Sequence, residues 1–362
     1  MKNILSKITR QIYPVIFLLV VISNPACKKD SGSGGINPPP PPPPEKTFKN
    51  PLLNNGPDPY VIKNGATYYY SNTLGDRIGI WKTPAMSKLS SAPYTTVFSP
   101  PASGPNSNNL WAPEFYFINN KWYLYYTAGD GTSLNTQRTF VLENSNADPT
   151  QGTWIDKGRI YNSSEDFWAI DGTVLELNNI DYFIWSGHAD NINSTQNIYI
   201  SKMTNPFTLE GSRVKISAPQ YSWETNGDVN EGPEILKNPQ GKILLVYSAS
   251  GCWTDEYGLG LLSLKDNGDP LNPADWTKSL TPVFMKSITN NVYGPGHNSF
   301  FKSPDGTEDW IIYHANPMPE NGQGCGSTRS TRMQKFTWKS DGTPDFGVPV
   351  VTNTAIKVPS GE

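Results

Sequence analysis

Five times along the chain an acidic residue or histidine stands beside glycine or proline and leads into an apolar strand, a tight turn and an aromatic-rich strand. The segments are Pro57-Asp58-Pro59-Tyr60-Val61, Trp111-Ala112-Pro113-Glu114-Phe115, Ile170-Asp171-Gly172-Thr173-Val174, Glu231-Gly232-Pro233-Glu234-Ile235 and Gly296-His297-Asn298-Ser299-Phe300. Their partner strands lie at residues 68–70, 122–126, 182–185, 243–247 and 310–313. The period is about 60 residues, enough for four strands per unit. One such unit cannot bury its own apolar faces, whereas a ring of five can. The pattern therefore predicts an all-β fold, a five-bladed β-propeller preceded by a signal peptide and a Pro-rich linker. The first strand of each blade lines a central channel, and the five polar anchors meet at one end of it.

Turn signals support hairpins at Asn64-Gly65, Asn119-Asn120, Asn178-Asn179, residues 239–241 and Asp305-Gly306. Third strands are expected at residues 78–81, 139–142, 198–200 and 259–262; fourth strands give no clear signal. No segment keeps a helical period. Residues 332–338, with the turn at Asp341-Gly342, read as closing strands, and residues 48–57 are expected to join the closure.

Charged residues make up 17% of the 362 residues and the net charge is −3, so no basic face suits a nucleic acid. The polymer that fits such a chain is uncharged. Aromatic residues reach 12%, a supply that serves both blade packing and sugar stacking.

Lys2, Lys7 and Arg10 precede an apolar stretch at residues 12–22, too short for a permanent membrane span. Residues 1–27 read as a lipoprotein-type signal peptide ending at Cys27; an ordinary cleaved signal peptide is the alternative. Export follows from either reading. The first adds a lipid anchor on Cys27, holding the protein at the bacterial outer membrane or facing the periplasm. Residues 28–47 form a Gly/Ser/Pro-rich linker in which the run from Pro38 to Pro44 makes a stiff spacer of about 20 Å. Residues 48–355 are expected to form the propeller domain. Cys252 and Cys325 either bridge the fourth unit to the fifth or remain two buried thiols; both readings stay open.

Asp58, Asp171 and Glu231 at three inner-strand starts would face one another across the channel mouth. Two carboxyls are the minimum for glycoside hydrolysis, one protonated as acid and one ionised as base or nucleophile. A third, Asp171, raises the pKa of the acid by its charge. Each residue alone has a turn-forming explanation. Their shared place in the repeat favours chemistry.

Here the sequence resembles glycoside hydrolase family 43 over about residues 50–350, through the Asp-Pro segment at 58, the Ile-Asp-Gly segment at 170 and the Glu-Gly-Pro segment at 231. The resemblance implies that Asp58 is the general base, Glu231 the general acid and Asp171 the residue that raises and orients the acid, with inversion at the anomeric carbon. Glu234 is a rival for the acid, and Glu114 reads as structural. His297 matches a family position associated with a calcium or sodium ion, held in part through water; a hydrogen-bonding role is the alternative. The chemistry needs no cofactor. Trp111 and Trp168, followed by Trp253, are the sugar-stacking candidates. Of Arg329 and Arg332 on the last blade, Arg332 is taken as the substrate-side cation that keeps Asp58 ionised, and His188 and His314 as satisfied strand-end residues. The wording at residues 231–233, 247–252 and 293–299 resembles the α-L-arabinofuranosidase branch, acting on arabinan or arabinoxylan side chains. β-Xylosidase, endo-arabinanase and a propeller that only binds glycan are the alternatives. The implied partner is a plant-type polysaccharide or oligosaccharide containing arabinose or xylose.

Overall fold

Period-two alternation, broken by asparagine and glycine turns, makes each unit an antiparallel meander of four strands. A computed structural model describes residues 44–162, 164–319, 325 and 328–362. The expected signal peptide, Cys27 and the linker up to residue 43 lie outside the described residues.

Blade one runs Tyr60–Asn64, Thr67–Ser71, Ile78–Thr83 and Tyr94–Phe98; blade two runs Asn108–Ile118, Lys121–Gly129, Arg138–Asn144 and Ile155–Arg159. Blade three runs Ala169–Leu177, Ile180–Gly187, Asn197–Asn205 and Thr208–Ser217; blade four runs Asn230–Lys237, Ile243–Ala249, Gly258–Leu264 and Trp276–Lys278. Blade five runs Tyr293–Lys302, Asp309–Asn316, Ser330–Trp338 and Pro344–Asp345. Each inner strand touches the inner strand of the next blade, and the fifth touches the first, so the ring is closed. The helical elements among the described residues are three short 3-10 turns, at Met86–Ser91, Leu134–Thr136 and Pro273–Asp275.

The fourth strands that sequence could not place are mostly exposed or half-buried, whether short, as in Ile155–Arg159, or long, as in Thr208–Ser217, so no buried face marks them. Asn119, Asn120, Asn178 and Asn179 adopt left-handed backbone, the conformation tight hairpins of matching twist require. Rings of the second strands cement the blades: Tyr69 meets Trp122 edge-on at 5.6 Å between blades one and two, and Tyr68 meets Phe301 at 5.6 Å between one and five. Each such pair adds about 1 kcal/mol beyond area burial.

The seam closes as expected, with residues 48–57 joining it, although they add no strand to the sheet of blade five. Blade five takes all four of its strands from the C-terminal part of the chain. The N-terminal segment lies against it through Leu53 paired with Thr331, and Thr47–Phe48 forms a separate two-stranded clasp with Ile356–Lys357.

Candidate active site

At five equivalent inner-strand starts the backbone turns left-handed, at Asp58, Ala112, Asp171, Gly232 and His297. In blades two to five this coincides with a break in strand register. A bulge re-aims a side chain that regular pleating would leave on a strand face. Non-glycine residues held there cost about 1–3 kcal/mol each, a cost characteristic of functional sites. Glycine suits position 232, where φ is +52° and a Cβ would lie 3.1 Å from the His297 ring.

Asp58 sits between two prolines and is 8% exposed. Its Oδ1 lies 2.9 Å from Arg329 Nη1, 3.3 Å from His297 Nδ1 and 3.4 Å from His314 Nδ1. Its own N–H donates to His314 Nδ1 at 3.1 Å. Burial pushes the carboxyl up, but Arg329, His297, His314 and the Thr73 hydroxyl outweigh it and hold the group well below the usual carboxylate range. Asp58 is ionised at every physiological pH.

Glu231, also 8% exposed, behaves oppositely. Burial, opposed by a 2.9 Å hydrogen bond from the Tyr257 hydroxyl and aided by the charge of Asp58, pushes it up to about 7. Asp171 accepts the Gly232 N–H at 3.0 Å through Oδ2. Burial, and then repulsion from Glu231, raise its carboxyl well above the ordinary value, so the two side chains resist carrying two charges. His297 donates its N–H to Ser248 Oγ at 2.7 Å, and burial lowers its imidazole, which is neutral at pH 7.

These groups open onto a cavity of about 560 Å³ whose wall adds Trp111, Trp168, Trp253 and Leu134. Trp168 stacks on His188 with centroids 4.2 Å apart and planes 13° apart. Cys252 and Cys325 are joined by a disulfide at this wall, resolving the open choice between bridge and thiols. A second depression, of about 570 Å³ among turns near Asn178, Gln240 and Asp341, contains no aromatic ring and no buried carboxylate.

Arg332 is a correction. It is fully buried within blade five, with Nε on Ser330 Oγ and Nη2 on the Ala315 carbonyl, and it is absent from the cavity. The cation beside Asp58 is Arg329. Strand parity explains the difference: Thr331 faces blade one, where its hydroxyl bonds Gly56 and Tyr70, so Arg332 must face away, and Arg329 shares the side of Thr331. Tyr257 and His314 were missed as site residues. Tyr257 carries no motif, while His314 shares strand parity with Ile312, whose side chain packs toward blade one.

Glu114 and Glu234 lie away from the cavity, in a separate hydroxyl-lined cluster. Tyr116 donates to Glu114, Tyr116 and Thr173 share a 2.7 Å hydrogen bond, and Thr173 and Ser299 reach Glu234 at 3.4 and 3.1 Å. Glu234 thus meets hydroxyls. As for the ion expected at His297, Nδ1 faces Asp58, and among the described residues no group of three or more His, Cys, Asp or Glu is arranged to hold a metal. An ion at His297 is therefore not confirmed.

The model of the glycosyl hydrolases family 43 matches residues 48–344. The chain belongs to glycosyl hydrolase family 43. It is 40% identical over 311 residues to an extracellular exo-α-(1→5)-L-arabinofuranosidase of Streptomyces avermitilis, covering 84% of this chain and 64% of that protein. It is 36% identical to a protein of the same description from Streptomyces chartreusis, covering 75% of this chain and 84% of that one. The chain therefore spans somewhat less than two thirds of the first of these relatives. The crystal structure of an α-L-arabinofuranosidase from Lactobacillus brevis superposes with a TM-score of 0.80 at 34% identity, covering 85% of this chain and 98% of that one.

Proposed function

We propose that this family member is an inverting α-L-arabinofuranosidase that removes arabinose from arabinan or arabinoxylan side chains. The observation that carries the reading is the opposite displacement of two carboxyls on one cavity: Asp58 is held ionised while Glu231 keeps its proton up to about 7. Environments that push two acids apart assign base and acid. The relatives named above support arabinose as the sugar.

In this mechanism Asp58 takes a proton from a water molecule as that water attacks the anomeric carbon. The glycosidic C–O bond breaks on the opposite face, and Glu231 gives its proton to the departing oxygen. Asp58 is left protonated and Glu231 ionised, and solvent exchange restores both. Asp171, through the Gly232 N–H, fixes the backbone that aims Glu231, and its repulsion favours the proton on the pair. The Tyr257 hydroxyl holds Glu231 Oε1. Trp111 and Trp168 offer faces to the sugar. No step uses a metal. Export belongs to the same proposal, supported by relatives described as extracellular; the lipid anchor on Cys27 is proposed from the sequence alone.

Purified protein offered an aryl arabinofuranoside, an aryl xyloside and linear arabinan is expected to release arabinose from the first and third, with the first-formed anomer inverted by NMR. Release of xylose alone, or retention of configuration, overturns the proposal. Sugar binding without hydrolysis returns the glycan-binding alternative.

A further inference from the structure

One wall of the pocket is built from two segments distant in sequence. Leu134 opens the 3-10 turn Leu134–Thr136 and is 58% exposed; Trp168 precedes the inner strand of blade three. They are tied directly, since Trp168 Nε1 donates to the Leu134 carbonyl at 2.9 Å. Behind them, away from the cavity, stands Asp166. Its Oδ1 accepts from Arg138 Nε at 2.8 Å and its Oδ2 from Arg159 Nη1 at 2.7 Å. Arg138 also donates to the carbonyls of Asn135 and Gln137, at 3.2 and 2.9 Å, and to that of Asp166 at 3.2 Å. One guanidinium thus grips both wall segments, and its orientation is set by one carboxylate.

The opposite flank of Trp168 is fixed as well. Arg213 donates to the carbonyls of His188 and Ala189 while its guanidinium covers the Phe167 ring at 4.6 Å, and His188 stacks on Trp168. Two ion pairs converging on a half-buried carboxylate form a network, and networks hold geometry where isolated surface pairs do not.

We propose that Asp166 is a positioning residue that fixes, through Arg138, the Leu134–Trp168 wall against which the substrate's sugar rests. The inference rests on the arabinoside reading above. It assigns Asp166 to binding rather than to bond cleavage, because Asp166 reaches neither carboxyl of the acid–base pair.

The test compares Asp166→Asn, Trp168→Ala and the double variant on a linear arabino-oligosaccharide. Asp166→Asn is expected to raise KM about fivefold to tenfold with kcat within about twofold, and the double variant to match Trp168→Ala. Hydrogen exchange in residues 134–137 and 164–168 should quicken together in Asp166→Asn. Unchanged KM, additive effects in the double variant, or exchange that quickens in one segment alone each overturns the inference. Should Asp166→Asn fail to fold, Arg159→Gln removes one ion pair and leaves Arg138 in place, and a smaller rise in KM is expected. A wild-type protein that releases no arabinose overturns the functional reading instead; the exchange measurement still decides the role of Asp166.

Discussion

Two clusters of buried carboxyls lie on the inner strands of this ring, and only one opens onto a cavity. Asp58, Asp171 and Glu231 share their site with a guanidinium and two imidazoles; Glu114 and Glu234 meet hydroxyls. In both clusters burial is what raises the carboxyls most. In the first, Arg329 holds the Asp58 carboxyl ionised while burial keeps Glu231 protonated up to about 7. The second has no such cation: burial and mutual repulsion raise Glu114 well above its ordinary value, and Glu234 is pushed up to about 8. Proton counting agrees. The links Glu114–Tyr116, Tyr116–Thr173 and Thr173–Glu234 need three protons; two hydroxyls supply two, so a carboxyl supplies the third. Chemistry thus requires an asymmetric counter-charge and access, not merely buried acids.

The largest expected effect is at Asp58. Asp58→Asn should lower kcat/KM by about 10³–10⁴ on every arabinoside, measured by initial rates, since no leaving group dispenses with the base. Glu231→Gln should cost roughly 10²–10³ on natural linkages and much less on aryl substrates with good leaving groups; equal losses on both break the assignment. In the wild type the basic limb of the pH–rate profile should fall near 7, because the acid must keep its proton and its folded value is about 7.

Arg329→Gln sharpens the contrast from the other side. Asp58 has a folded pKa below its unfolded one, so it contributes stability above the ordinary carboxyl range and loses it as the pH falls. Removing the guanidinium should move the acidic limb of the rate profile toward neutrality and lower kcat/KM by about 10–100-fold.

The smallest effect on catalysis is expected at Glu234. Its folded pKa is raised, so its contribution is fully present below the ordinary value of 4.5 and is lost as the pH climbs through about 8. Glu234→Gln should leave kcat/KM within about twofold and add on the order of 1–3 kcal/mol of stability at pH 8, read by denaturant unfolding. A large loss of activity would erase the distinction between the two clusters.

The contrast also separates what sequence reveals from what it hides. The repeat was legible because blade packing imposes an aromatic second strand and a turn in every unit, and the mouth carboxyls stand at matching starts. In blades two and four, however, the left-handed residues are Ala112 and Gly232, so the acidic residues nearby sit off the equivalent position, and Glu114 and Glu234 fall in the other cluster. Side-chain charge was visible; the bulge that aims it was not. Arg329 was hidden for a similar reason, since three residues along a strand reverse the face and only pairing with a known neighbour fixes which face is inward. Tyr257 and Asp166 act from outside any motif, through contacts made only after distant segments meet.

The salt bridge between Asp58 and Arg329 spans the seam where first blade meets last, joining residues 271 positions apart. A chain released before residue 329 would already possess Asp58, Asp171 and Glu231, yet Asp58 would lack the cation that lowers its carboxyl. The charge on Asp58 is in that sense a mark of completed synthesis, secured only when the chain's end has come back to its beginning.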